Sequence, residues 1–337
     1  MDDQPNRNHL LVSNLPFSAW LPFVIGGAYG LLLRLIFSGN GVSSLPDVMA
    51  GAFVYAVPFA VGAITIYLAE QRTRRSWLFY AFAPWLSVGL FVGGAGLALI
   101  EGLICIVMAL PLFLILGSAG GLVMGLICRF RNRPLRTVQS ISLLPLVLLL
   151  GEGLIPAGDR ISGLERSLYI AAPPSAVWQL ILNPSDIRPD ELAGGLAYRI
   201  GVPYPIQART QAEGVGGLRR STWASGVSFD ERITAWQPNR YIAWRYEFHP
   251  DSFPPGTMDE HVVIGGEYFD LLDSAYQLIP EAGGTRLQLR VNFRTSTKFN
   301  WYAQPLARLM LGDTAEVLLG FYKQRAEAQV AAVTAAR

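Results

Sequence analysis

The sequence predicts two folds joined end to end. An α-helical transmembrane bundle of about five spans comes first, followed by an α+β domain whose antiparallel sheet wraps around a long C-terminal helix. Three observations predict this. The 337-residue chain is 51% hydrophobic and only 15% charged, an apolar excess that one water-soluble domain does not usually carry. Its charges are divided unevenly: residues 1–156 hold nine arginines, no lysine and six acidic residues, while residues 157–337 hold the other eighteen cations and nineteen anions. After Asp159 the long apolar runs give way to a hydrophobic period of two, the mark of half-buried strands. The boundary is therefore set between a transmembrane domain over residues 1–158 and a second domain over residues 159–337.

A helix crosses a hydrocarbon core of ~30 Å with roughly 20 apolar residues. Runs near residues 19–38, 48–69, 77–100, 103–128 and 138–156 reach or approach that length. Each contains an internal proline (Pro22, Pro58, Pro84, Pro111, Pro145), and the last run also ends on Pro156; such prolines are tolerated in lipid where neighbouring helices re-satisfy the freed carbonyls. Glycines at four-residue spacing, Gly26 with Gly30 and Gly117 with Gly121 and Gly125, permit close helix approach. A packed bundle is the expectation. Only Arg34, Glu101 and Glu152 place ionisable groups within or at the ends of the spans, too few for a polar transport path. The two glutamates sit in similar pentads, IEGLI and GEGLI, and are expected to be solvated at the interface.

Short cytoplasmic loops collect arginine. EQRTRRS (residues 70–76) and RFRNRPLR (residues 129–136) are two spans apart and share a side. An integral protein of a bacterial inner membrane is expected, with its N-terminus in the cytoplasm and, after five spans, its second domain in the periplasm. The loop SGNGVSSLPD, free of basic residues, agrees, while Arg34 near the outer end of the first span opposes. The N-terminus, MDDQPNRNHLLVSNLPFSAW, lacks a basic start, an apolar run and a small-residue cleavage site, so no removed signal peptide is expected. Cys105 and Cys128 both lie in an apolar run, which excludes a disulfide framework. A net charge of +2, divided as above, offers no basic field for nucleic acid.

In the second half, strand SLYIAA precedes PPSAVWQLILNP, a helix that opens on proline and sets Val177, Leu180 and Ile181 on one side. A second short helix is expected around residues 190–196. Three hairpins follow, turning at residues 214–217, at Pro238 and Asn239, and at Gly283 and Gly284. The chain closes with an amphipathic segment over residues 301–335, expected to be a helix broken or bent near Gly312.

Three local features carry a family resemblance: the entry AAPPSAVWQLILNP, the acidic strand, proline turn and aromatic strand of FDERITAWQPNRYIAWRYEF, and the EAGGTRL turn ahead of the terminal helix. Over residues 163–337 the chain resembles the START-like superfamily, also called SRPBCC or polyketide cyclase-like, with its helix-grip fold. The resemblance implies a curved sheet gripping the last helix around an apolar cavity, a ligand site by default. The inward set is expected to include Trp223, Trp236, Trp244, Tyr246, Tyr268 and Tyr276 from the strands. Leu306, Leu309, Met310, Val317 and Phe321 are expected from the helix. Glu231, Arg245 and Arg290 are the polar candidates, which would orient a ligand headgroup if they face inward. Because the family includes lipid and sterol carriers, cyclases, hydroxylase domains and chaperone activators, it says little about chemistry.

The sequence has no Gly-rich phosphate loop, no Cys/His cluster and no G-x-S-x-G elbow. No catalytic residue, cofactor or metal ligand is assigned. In MDEHV, Asp259, Glu260 and His261 precede a strand; consecutive strand residues point to opposite faces and one histidine is a poor metal site, so a solvated loop is expected. The loop EFHPDSFPPG around His249 could serve as a lid. The expected function is membrane-anchored binding or transfer of a hydrophobic small molecule, such as a lipid, isoprenoid, sterol-like or quinone species. Membrane lipids and that ligand would be its partners, with a membrane-protein partner or a second copy as further candidates. Tethering would raise the effective concentration of a ligand leaving the bilayer. The alternatives are a cyclase or aromatase-type enzyme and an interaction module of a membrane assembly.

Overall fold

The computed structural model describes residues 19–37, 48–131, 134–154 and 156–335. The start of the N-terminal segment, the SGNGVSSLPD loop and Arg133 lie outside the described residues. The chain divides into two compact units, residues 1–101 with 106–156, and residues 157–337 with 102–105.

The first unit is helical: α1 (Leu21–Ile36), α2 (Val57–Glu70), α3 (Trp77–Phe82), α4 (Pro84–Leu97), α5 (Leu103–Phe130) and α6 (Leu135–Leu150). A π-helical turn, Ala52–Ala56, leads into α2. Among the described residues, three helical stretches are long and apolar enough to cross a membrane, Ala52–Glu70, Trp77–Leu97 and Leu103–Phe130. Five spans were expected; α1 and α6 have 16 residues each, about 24 Å at ~1.5 Å per residue, short of a ~30 Å core. Pro22 sits in the first turn of α1, where a missing N–H removes no bond; Pro58 and Pro84 stand where helical geometry changes, just after the π-helical turn and just after α3. Pro111 and Pro145 lie inside helices.

The glycine spacing does what close packing requires. A Cβ on Gly121 would collide with the Tyr80 carbonyl oxygen, and one on Gly30 would meet the Phe91 ring at 2.7 Å. The paired glutamates are not simply solvated. Glu152 accepts the Gly51 and Ala52 amides at 2.8 and 2.9 Å, because the first turn of a helix leaves N–H groups without partners. Glu101 accepts Arg34 Nε at 2.5 Å, supplying the counter-charge that a buried guanidinium demands.

The second unit runs β1 (Arg160–Ile170), α7 (Pro174–Leu182), α8 (Leu196–Arg199), β2 (Pro205–Thr210), β3 (Leu218–Trp223), β4 (Ser228–Gln237), β5 (Tyr241–Glu247), β6 (Phe269–Glu281), β7 (Gly284–Thr295) and α9 (Asn300–Ala335). A 3-10 turn, Pro189–Leu192, precedes α8. The seven strands form one antiparallel sheet in the order β1-β7-β6-β5-β4-β3-β2, curled around α9. The strand expected as SLYIAA starts earlier, because β1 pairs with β7 from Arg160 opposite Thr295 to Ile170 opposite Thr285. Asn239 and Gly283 take the positive φ, +59° and +78°, of the two hairpin turns predicted there.

Between sheet and helices lies one core, with Val177, Trp178 and Ile181 from α7, Ala315, Leu319, Tyr322 and Ala326 from α9, and Ile242, Trp244, Leu287, Leu289 and Phe293 from the strands. The predicted break at Gly312 is absent, since α9 is a single helix of 36 residues. Gly312 faces β1, where a Cβ would stand 2.8 Å from Nη2 at the movable end of Arg166.

Candidate functional site

Strand alternation selects what faces the core. On β3 the inward residues are Arg219, Ser221 and Trp223, and on β4 they are Phe229, Glu231 and Ile233. A bulge between Ile233 and Ala235 then shifts the parity. Trp236 consequently stays inward and meets Trp178 edge to face, with ring centroids 5.0 Å apart. The register sets Arg219 opposite Glu231, Glu231 opposite Tyr246, and Trp244 opposite Ser274.

At the centre of this face Arg219 and Glu231 form an ion pair, each 4% exposed. Two charges taken out of water need both a partner and further hydrogen bonds. Arg219 has them: Nη2 donates to the Ile181 carbonyl at 3.0 Å and Nε to Leu182 at 3.4 Å. These carbonyls belong to the last turn of α7, where a cation also meets the negative end of the helix dipole. The guanidinium lies over the Trp244 ring, 4.8 Å from its centroid.

Four phenols gather around the pair. Tyr246 Oη lies 2.7 Å from Ser274 Oγ. Tyr322 of α9 meets Tyr276 edge to face at 5.7 Å, and its hydroxyl interacts with both Tyr276 and Arg219. Tyr198, from α8, feels the charges of Tyr322, Asp313 and Tyr246, yet its hydroxyl has no hydrogen-bond partner, whereas the Trp244 side chain interacts with the Tyr246 hydroxyl. Burial raises all four phenols above the ordinary tyrosine range, so they remain protonated and can donate. Burial also raises the Glu231 carboxyl, opposed by Arg219, whose guanidinium stays charged.

Most expected cavity residues belong to this core. Trp244, Tyr276, Met310 and Phe321 are buried, and Trp223, Trp236, Tyr246 and Val317 pack half-buried against them. Leu306 is half-buried on α9. Leu309, in contrast, is 62% exposed, because its neighbours Ala307 and Met310 occupy the buried stripe. Tyr268 stands just ahead of β6, half-buried and outside the core.

Of the polar candidates, only Glu231 faces inward. Arg245 falls between inward Trp244 and Tyr246 and is exposed, opposite Arg232 and Asp273. Arg290 lies between inward Leu289 and Val291 and pairs with Glu165 at 2.9 Å on the outer face. Both were candidates that the period of two excludes once their aromatic or aliphatic neighbours are set inward. The same rule reaches the missed Arg219, two steps from Trp223 through Ser221. Tyr322 had a signal as well, on the stripe of Ala315, Leu319, Tyr322 and Ala326. Tyr198 had none, since α8 is a single turn.

The two loop candidates are differently placed. His249 Nε2 approaches Asp230 Oδ2 at 3.4 Å on the outer face, while Phe253 and Met258 of the same connection pack against the core. Asp259 and His261 were expected in a solvated loop, but their side chains are 7% and 20% exposed. The segment forms a 3-10 turn instead, and Asp259 Oδ1 accepts from the His261 amide at 3.0 Å and lies 2.8 Å from its Nδ1.

No protein-family model matches this chain, and no curated protein is similar to it. Among solved structures it is similar to the Zhui aromatase/cyclase from Streptomyces sp. R1128, at 16% identity and a TM-score of 0.31, over 51% of this chain and 96% of that one. It is similar to a protein from Thermus thermophilus at 18% identity and a TM-score of 0.32, over 50% and 99%. The di-domain ARO/CYC BexL of the BE-7585A biosynthetic pathway matches at 15% and 0.32, over 63% of each chain. At these values the likenesses concern the fold of part of the chain, and no activity is carried over from them.

Proposed function

We propose that the unit containing residues 157–337 binds an apolar, ring-bearing small molecule that carries an oxygen function. The observation supporting this is a buried hydroxyl without a partner, Tyr198 Oη, within range of Tyr246 and Tyr322. Leaving a buried polar group unpaired costs about 1–3 kcal/mol, and a ligand oxygen accepting from the Tyr198 hydroxyl would recover that loss. Apolar surface for the rest of such a ligand is offered by Trp223, Phe229, Tyr246 and Phe248, whose rings contact one another at 5.3–5.9 Å. The apolar helices of the first unit serve, in this reading, as the anchor that keeps the site near lipid-soluble ligands.

Full-length protein extracted in mild detergent and analysed by mass spectrometry for bound organic molecules tests the reading. A co-purifying hydrophobic oxygenated compound is expected. Tyr198→Phe should weaken its binding by roughly 5–30-fold, the equivalent of 1–2 kcal/mol. An empty extract together with no binding across a panel of hydrophobic phenols, quinones and ketones would sink it.

One observation favours a second reading, a cyclase-type enzyme. Glu231 sits next to a fixed cation with its carboxyl raised by burial, the environment in which a carboxylate can take a proton at neutral pH. Turnover lost in Glu231→Gln with ligand binding retained would select this reading over simple binding.

A further inference from the structure

One end of the helical unit concentrates positive charge beside exposed apolar rings. Arg72, Arg74 and Arg75 follow α2, Arg129 and Arg131 close α5, and Arg136 lies in the first turn of α6; all six are exposed. The two loops are in contact, since Arg129 Nη2 donates to the Arg75 carbonyl at 3.2 Å. Two guanidiniums are committed to aromatic faces: Arg129 lies 4.3 Å from the Trp77 ring centroid and 5.5 Å from that of Tyr80, and Arg75 lies 5.0 Å from that of Phe79. Within residues 70–76 and 129–136 the sequence has one carboxylate, Glu70, and it is occupied by the Arg75 amide at 2.7 Å and the Tyr80 hydroxyl at 2.8 Å. Among the described residues no carboxylate pairs with Arg72, Arg74, Arg131 or Arg136. Around them stand exposed Trp77, Leu78 and Phe130, the last 82% exposed.

Uncompensated arginines at the ends of apolar helices, mixed with a tryptophan belt, match a phospholipid interface on both its charge and its apolar side. Nucleic acid or an acidic protein would answer the charge and leave Leu78 and Phe130 in water. We propose that this end of the bundle is a binding surface for anionic phospholipid headgroups. The phosphates are received by Arg72, Arg74, Arg131 and Arg136, while Arg75 and Arg129, held on their rings, shape the surface. This inference is independent of the ligand proposed for the other unit.

Full-length protein in neutral detergent, titrated with phosphatidylglycerol or phosphatidylcholine and read by native mass spectrometry and thermal shift, tests it. Phosphatidylglycerol should be retained at least tenfold more strongly, and the preference should collapse at 1 M salt, where screening acts within ~3 Å. The combined variant R72Q/R74Q/R131Q/R136Q should lose the preference, while the matching four-lysine variant keeps most of it. Equal retention of the two lipids, a preference that survives 1 M salt in the wild type, or an undiminished preference in a folded four-glutamine variant would each overturn the proposal. Stabilisation by inorganic phosphate alone, equal to that by phosphatidylglycerol, would overturn it too, making the patch a site for free anions.

Discussion

Replacing Arg219 by methionine removes the cation facing a carboxylate that is 4% exposed. Breaking a buried ion pair from one side costs about 3–5 kcal/mol, because the remaining charge stays out of water. Arg219 also holds two carbonyls of the last turn of α7, worth about 0.5–1.5 kcal/mol each. R219M should therefore lie at the upper end, near 5 kcal/mol. E231Q keeps the α7 contacts and should lose about 3. The double variant R219M/E231L buries no charge and forfeits mainly the α7 contacts, so its loss should be about 2 kcal/mol, far below that of the singles combined. Urea unfolding of the full-length protein, followed by emission of Trp223, Trp236 and Trp244 and by hydrogen exchange in β3 and β4, measures all three. If R219M falls within 1 kcal/mol of wild type, or if the two single losses add in the double variant, the buried pair is not as described.

Further outcomes follow from other contacts. Arg325 holds the Glu191 carboxyl down at about 2, assisted by the Arg188 amide. A carboxyl lowered in the folded state stabilises above its unfolded value near 4.5 and loses that contribution as pH falls towards 2. Screened for partial exposure, the contribution is about 1 kcal/mol, and E191Q should flatten the acid limb of a melting-temperature profile. Gly121→Ala drives a methyl into the Tyr80 carbonyl and should destabilise the helical unit by about 1–3 kcal/mol, whereas Gly312→Ala meets only the end of a flexible arginine and should be nearly neutral, a contrast that thermal unfolding would show. R245Q and R290Q, both on the wet face, should leave ligand affinity and melting temperature unchanged.

The hairpins were legible because each carries its own turn chemistry, as at Asn239 and Gly283, and alternation then located most of the inner aromatics. Arg219 was equally legible, since Trp223 fixes its face; the adjacent Arg220 hid it by making the pair look like ordinary surface charge. The bulges on β4 and β6 leave no mark in sequence, because any residue can be the inserted one. Gly312 misled in the opposite direction: glycine weakens a helix by itself, but α9 is held by the sheet wrapped around it. Span count failed for a related reason. Hydrophobic length was readable, while Pro22 in the first turn of α1 showed where that helix begins only once its neighbours were known.

The bulge between Ile233 and Ala235 has a consequence for how this interior can change. It divides β4 into two phases: upstream, odd-numbered residues face the core, and downstream, even-numbered ones do. The polar half around Glu231 and the aromatic half around Trp236 are thereby uncoupled in register. Removing Thr234 would restore a plain period of two along β4, with Glu231, Ile233 and Trp236 all still inward, and would take away the local bend that the extra residue gives the strand.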